Sequence, residues 1–185
     1  MILALIGLAQ AGEICPAPGL LPRAEPLSGY VCETLSEALS LCTTCDGQPL
    51  REAALVERGI ERAALDAEVA AAAAAALTQE RPIRTEITGM PGANYWVSQA
   101  GDGLDAAGLL HPELLRDLAG TTPVVGIPEP GTFVMWIPGD PDIDKVVAVG
   151  VRRIYEVAQQ PTSDRIYRWH NGAWQVWGEV VTRSD

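Results

Sequence analysis

Four cysteines are the residues of this chain best suited to chemistry: Cys15, Cys32, Cys42 and Cys45, all within the first quarter of its 185 residues. An even count favours two disulfides stapling a loop-rich segment, a device of exported proteins. Four cysteines allow three pairings, and their spacing does not choose among them. The two-residue gap between Cys42 and Cys45 is also the spacing of a zinc-binding thiolate pair, or of a redox dithiol activated at a helix start. No tryptophan or proline flanks the pair and no strand is expected before it, so structural disulfides lead these readings.

The aspartates and histidines offer less. Asp140-Pro141-Asp142-Ile143-Asp144 has the alternate spacing of a calcium loop, but the EF-hand template needs glycine and glutamate where this chain has Lys145 and Val151. The three aspartates fit instead as a helix cap and an acidic first turn. His111 stands before a proline and His170 beside an Asn-Gly turn, and neither has a serine, cysteine or aspartate at nucleophile–base spacing. Gly101-Asp102-Gly103 lacks the lysine and hydroxyl residue of a phosphate loop, and Gly120, Gly126 and Gly131 do not form one either. The residues thus assign no catalytic group, no cofactor and no metal ligand. A small hydrolase using His111 or His170 is the least favoured class. An exposed row of Tyr95, Trp96, Trp136 and Trp177 is the candidate interaction surface, although in a chain with a single Phe the tryptophans also serve as large core side chains.

Composition narrows the partners. The net charge is −11 and Lys145 is the only lysine, a balance that repels phosphate backbones and anionic lipid heads. No nucleic acid is expected; a protein partner stays open. Residues 1–11 read as the apolar core of a signal peptide, with Ala9-Gln10-Ala11 as a small-residue cleavage site but no basic start. No later run approaches the ~18–20 apolar residues that cross a bilayer, so no membrane span is expected. Secretion or a periplasmic location follows from these signs, with a cytoplasmic location as the alternative.

The elements that must position these residues are readable in outline. Residues 12–48 form a Cys/Pro-rich segment and 49–185 a single α+β domain. Thr34 to Leu41 has a capping pattern and reads as a short helix. Residues 49–80 read as one long helix, with Val56, Ile60, Ala63, Ala67, Ala70, Ala74 and Leu77 on its buried face. Ile83 to Thr88 and Asn94 to Gln99 are strand-like runs about a Met90-Pro91-Gly92 turn. Pro112 starts a helix that Gly120 ends, and Asp140-Pro141 starts another whose buried face runs Ile143, Val147, Val151, Ile154 and Ala158. Between them Pro123–Ile127 and Thr132–Ile137 form a β pair. Asn171-Gly172 is a type I′ turn that sets Trp169 opposite Trp174. The fold class is α+β: a long amphipathic helix plus two shorter helices packed on a mainly antiparallel sheet ending in a Trp-rich hairpin.

The run GDGLDAAGLLHPELL, followed by PVVGIPEPGTFVMWIPGD, DKVVAVGVRRIYE and RIYRWHNGAWQ, resembles the YtpQ-like family of bacterial proteins, a domain without a defined function. The resemblance implies the same order of strand, turn, leucine-rich helix, hairpin, helix and closing aromatic segment. It departs at Pro128-Glu129-Pro130-Gly131, where the family often carries an Arg-Asp pair, and it does not reach the cysteine-bearing head. It brings no catalytic residue. The expected function is that of a non-catalytic, exported binding or interaction domain, with a cytoplasmic chaperone-like or regulatory adaptor as the alternative.

Overall fold

A computed structural model of the chain describes residues 15–78 and 81–179, with side chains given to residue 177 at the C-terminal end. The expected signal segment, 1–11, lies outside the described residues. Among the described residues, two antiparallel sheets and four α-helices make up the fold.

The first sheet contains Cys32, Cys42 and Cys45, and Cys15 lies shortly before its first strand. Strands β1 (Pro18–Arg23) and β2 (Cys32–Ser36) flank β3 (Leu39–Cys45), and the two-residue β4 (Gln48–Pro49) pairs with the end of β3. The short helix expected over Thr34–Leu41 is therefore a β-hairpin. A capping pattern is a local preference of about 1 kcal/mol. Here it loses to a strand buried along nearly its whole length and bonded on both sides, with Cys32 directly opposite Cys42. Asp46 and Gly47 both adopt positive φ, which makes the tight turn into β4.

The long helix expected over 49–80 is two helices, α1 (Glu52–Arg58) and α2 (Arg62–Thr78). Gly59 ends α1 in the left-handed conformation, its N–H meeting the carbonyls of Leu55 and Val56. The buried face also differs. Leu55, Leu65, Val69, Ala73 and Ala76 point inward, whereas Val56 is 83% exposed. In a run of alanines every face has nearly the same apolarity, so the few large side chains, Leu65 and Val69, decide which side the core accepts.

The second sheet has six strands in the order β10-β9-β7-β8-β6-β5. These are β5 (Ile83–Glu86), β6 (Asn94–Ser98), β7 (Val124–Glu129), β8 (Thr132–Trp136), β9 (Arg165–His170) and β10 (Ala173–Glu179). Period-two alternation sorts its side chains into two layers. On one face Trp96, Val125, Ile127, Phe133, Met135, Tyr167 and Trp174 share a core with α2, the 3-10 turn Ala107–Leu109 and the first sheet. Cys15, Leu20, Val31 and Leu39 belong to that same core, so the cysteine-bearing segment and the remainder are packed as one body.

On the other face Val124, Val134, Trp136 and Ile166 meet α4 (Pro141–Val157) through Val147 and Val151. Asp140 caps α4, accepting the N–H groups of Asp142 and Ile143, and Pro141 takes the first helical position. Helix α3 (Pro112–Ala119) starts on Pro112 and ends at Gly120, again left-handed. The β9–β10 turn sets Trp169 opposite Trp174 and His170 opposite Ala173.

The two sheets meet at a close backbone approach. Leu20 N–H donates to the Gly103 carbonyl at 2.6 Å. A Cβ on Gly19 would sit 2.5 Å from Thr44 Oγ1 and 3.3 Å from that carbonyl, so only glycine fits there. Asp105 holds the loop in place: its carboxylate accepts from Ser98 Oγ, Ala100 N–H and Gly101 N–H. A second tie runs from Tyr167, whose hydroxyl donates to the Ala38 carbonyl and also meets Ser163 Oγ.

Candidate functional site

The cysteines form two disulfides, Cys15–Cys45 and Cys32–Cys42. Both sulfurs of the Cys42-Thr43-Thr44-Cys45 pair are committed to different partners, so neither the zinc nor the redox reading of that spacing has a thiolate to work with. Cystines of this kind belong to an oxidising compartment.

The histidines are placed structurally. His111 Nε2 lies 2.8 Å from the Ala70 carbonyl of α2 and Nδ1 lies 3.0 Å from Glu113 Oε1, which ties the start of α3 to the middle of α2. Both ring nitrogens thus face acceptors of the protein itself. For Glu113, burial raises the carboxyl pKa, but its own backbone N–H, the His111 hydrogen bond and the nearby His111 and Arg116 charges outweigh this and hold it below its usual value. His170 is exposed at the β9–β10 turn. The aspartate string is absorbed by the α4 start: Asp140 caps it, and Asp144 accepts from Trp136 Nε1 at 2.8 Å and from Gly139 N–H. No group of three or more metal-type ligands gathers among the described residues.

The expected row of Tyr95, Trp96, Trp136 and Trp177 does not form one surface. Trp96 and Trp136 are buried, and Tyr95 is half-buried. Adjacent residues of a strand point to opposite faces, so Trp96 joins the α2 layer and Tyr95 the α4 layer. Trp177 is 40% exposed and rests edge-on against Trp136, 6.5 Å between ring centroids. Alternation after Trp174 and Val176 puts it on that face, and the β9–β10 register shift between Val176 and Gly178 leaves it as the extra residue of a bulge.

A groove of about 1030 Å³ lies at the β5 side of the second sheet. Its walls come from three separate pieces of chain: the end of α2 (Leu77, Thr78), the stretch Arg81–Arg84, and β6 with its exit (Trp96–Ala100), with Leu118 of α3 at one side. Ile83 is 63% exposed and Leu118 47% exposed, both large apolar side chains left open to solvent. The β5–β6 register sets Arg84 opposite Trp96, and its guanidinium lies over the indole, 5.7 Å from the ring centroid. Arg81 Nη1 lies 2.7 Å from Asp102 Oδ2. Burial raises the Asp102 carboxyl pKa, but the Arg81 hydrogen bond, the Leu104 backbone N–H and the Arg81 charge together bring it below its ordinary value.

The charge of this groove sets it apart. Two arginines and no described carboxylate line it, on a chain of 24 acidic and 13 basic residues. A second cleft, of about 440 Å³ between the hairpin and α3, is lined by Glu33 and Glu113 with Trp169 and Trp174 and by no basic residue. A third, near the Gly19–Gly103 approach, carries Asp46, Asp102 and Asp105. Arg81 and Arg84 carried no motif in the sequence. The one available signal was the pairing of an arginine with a tryptophan across a hairpin whose turn, 87–93, is legible from its Gly and Pro residues.

No protein-family model, no curated protein and no solved structure matches this chain.

Proposed function

We propose that this chain is a non-catalytic binding domain of an exported protein, and that the groove beside Trp96 holds a carboxylate-rich partner. The observation that carries this reading is the charge inversion: on a chain of net charge −11, a groove of about 1030 Å³ is lined by Arg81 and Arg84 and by no described acidic side chain. Beyond a Debye length of about 8 Å in physiological salt the overall charge is screened, so the local field of the groove decides what can settle in it. Asp102 already balances Arg81, whereas Arg84 has an aromatic ring as its partner and no described carboxylate in ion-pair range. A guanidinium laid on an indole is held in place by the ring and keeps its edge free for a carboxylate.

The two disulfides support export through the compartment they require and weigh against a cytoplasmic adaptor. The YtpQ-like resemblance, over roughly residues 35–177, is a proposal and brings no ligand, so the groove stands on its own residues.

Fluorescein-labelled Asp-Val-Glu-Val-Asp-Val and Lys-Val-Lys-Val-Lys-Val peptides, titrated with the oxidised protein at low and physiological salt, test this by anisotropy. The acidic peptide is expected to bind and the basic one not, with R84E weakening the acidic peptide by about tenfold or more, the scale of one reversed charge contact. Equal binding of the two peptides, no binding of either, or an R84E protein that binds as the parent does would sink the reading.

A further inference from the structure

Resting on that reading, we infer that the partner docks as an added β-strand on the outer edge of β5, with an acidic side chain opposite Arg84 and an apolar one opposite Ile83. Strand β5 ends the six-stranded sheet, and among the described residues only β6 pairs with it. Alternate peptide groups of an edge strand point away from its one neighbour, presenting N–H and C=O groups to any extended segment that arrives. Proteins commonly blunt such edges with short strands and charged residues. The four residues of β5, with Arg84 and Glu86, do part of this. Ile83 does the opposite, leaving a large apolar side chain exposed at the same edge.

The register fixes what an added strand would present. Arg84 pairs with Trp96 and Ile83 with Val97, so the two residues lie on opposite faces of the sheet. A residue opposite Arg84 on the incoming strand shares the Trp96 face, where the guanidinium can take a carboxylate. Its neighbours fall opposite Ile83 and Thr85, on the other face, where Ile83 and the half-buried Val97 favour an aliphatic side chain. The segment that satisfies both faces alternates acidic and aliphatic residues from Arg84 toward Pro82, because Glu86, the next residue on the Arg84 face, repels a carboxylate set opposite it. Four strand residues span about 13 Å, long enough to run the length of β5. Main-chain hydrogen bonds supply affinity in this mode, and the alternating side chains supply selectivity.

The test uses the full oxidised protein, the Asp-Val-Glu-Val-Asp-Val peptide and two versions of that peptide N-methylated at alternate residues, one on the odd and one on the even positions. Strand addition predicts that one N-methylated version loses affinity by roughly tenfold or more while the other stays within about twofold, because only one set of amides faces β5. It also predicts that amide exchange of Ile83–Glu86 slows when the parent peptide is added. If both N-methylated versions bind like the parent and R84E still weakens it, the strand mode falls and the groove reading survives. If the parent peptide does not bind, both fall. If the free protein instead dimerises with concentration and its β5 amides become protected, the edge belongs to a second copy of the chain and the peptide assignment is overturned.

Discussion

The two sheets of this protein solve the same problem by different means. The second sheet buries Trp136, Tyr167, Phe133, Ile127, Met135 and Ile166 essentially completely, with helices on both faces. The first sheet is covered through β1 by the same helix, α2. It buries Leu20, Val31, Leu39 and Leu41, but also Ser40, Thr43 and Thr44, and closes itself with two disulfides within 31 residues of chain. A small sheet with few large apolar residues gains too little from burial to fix itself, and covalent closure makes up the difference. The six-stranded sheet needs none, because its packing already supplies the stabilisation.

The strongest way to break that comparison is to remove the staples. Replacing Cys15 and Cys45 together with serine opens a loop of sequence separation 30 and is expected to cost about 3–4 kcal/mol by loop-closure entropy. The Cys32/Cys42 pair, of separation 10, is expected to cost about 3 kcal/mol. Denaturant unfolding followed by amide exchange should place the loss in residues 18–49. A loss spread evenly over both sheets would erase the distinction.

A smaller effect probes the tie between the sheets. Tyr167→Phe leaves the Ala38 carbonyl without the hydroxyl that donates to it, which is expected to cost about 1–3 kcal/mol in urea unfolding. The same residue gives a pH signature. Burial pushes the Tyr167 hydroxyl pKa up from its ordinary 10.0, against the opposing hydrogen bond from Ser163. A group whose pKa is higher in the folded state holds its proton longer there. Its stabilisation is thus complete below about pH 10 and is lost as pH rises through the folded value. Alkaline titration of stability should show that loss in the parent and a shallower one in the phenylalanine variant. Identical curves would mean that the hydroxyl does not couple the sheets.

The smallest effect sharpens the comparison from the other side. Asp140→Ala removes the side chain that accepts the first α4 amides and is expected to cost about 1 kcal/mol. Amide exchange in β1–β3 should stay as in the parent, since the main contacts of α4 are with β7 and β8.

The same division explains what could be read in advance. Features set by a neighbour or two in sequence were legible: the Asp140-Pro141 start of α4, the Pro112 and Gly120 ends of α3, and the β7 and β8 runs. Features settled by distant partners were not. Thr34–Leu41 carries a helix-start pattern, yet β1 on one side and Cys32 on the other draw it into a sheet. The alanine run of α2 has no intrinsic inward face until the core selects Leu65 and Val69. Trp96 and Trp136, expected at a surface, are buried because strand alternation and the two packed faces absorb them. The groove was invisible for a plainer reason: its walls are brought together from Leu77, Arg84, Trp96 and Leu118, which no local pattern connects.

The tie from Tyr167 to Ala38 spans 129 residues, and this has a consequence in time. A chain made at about 5–20 residues per second takes roughly 6–26 s to reach from one to the other. The Gly103 carbonyl that receives Leu20 also arrives well after β1. During that interval the first sheet has no larger body to lean on, but all four cysteines are already present by residue 45. Where export into the oxidising compartment keeps pace with synthesis, the staples can close at that stage and hold a sheet that is born early in shape until the rest of the protein arrives to cover it.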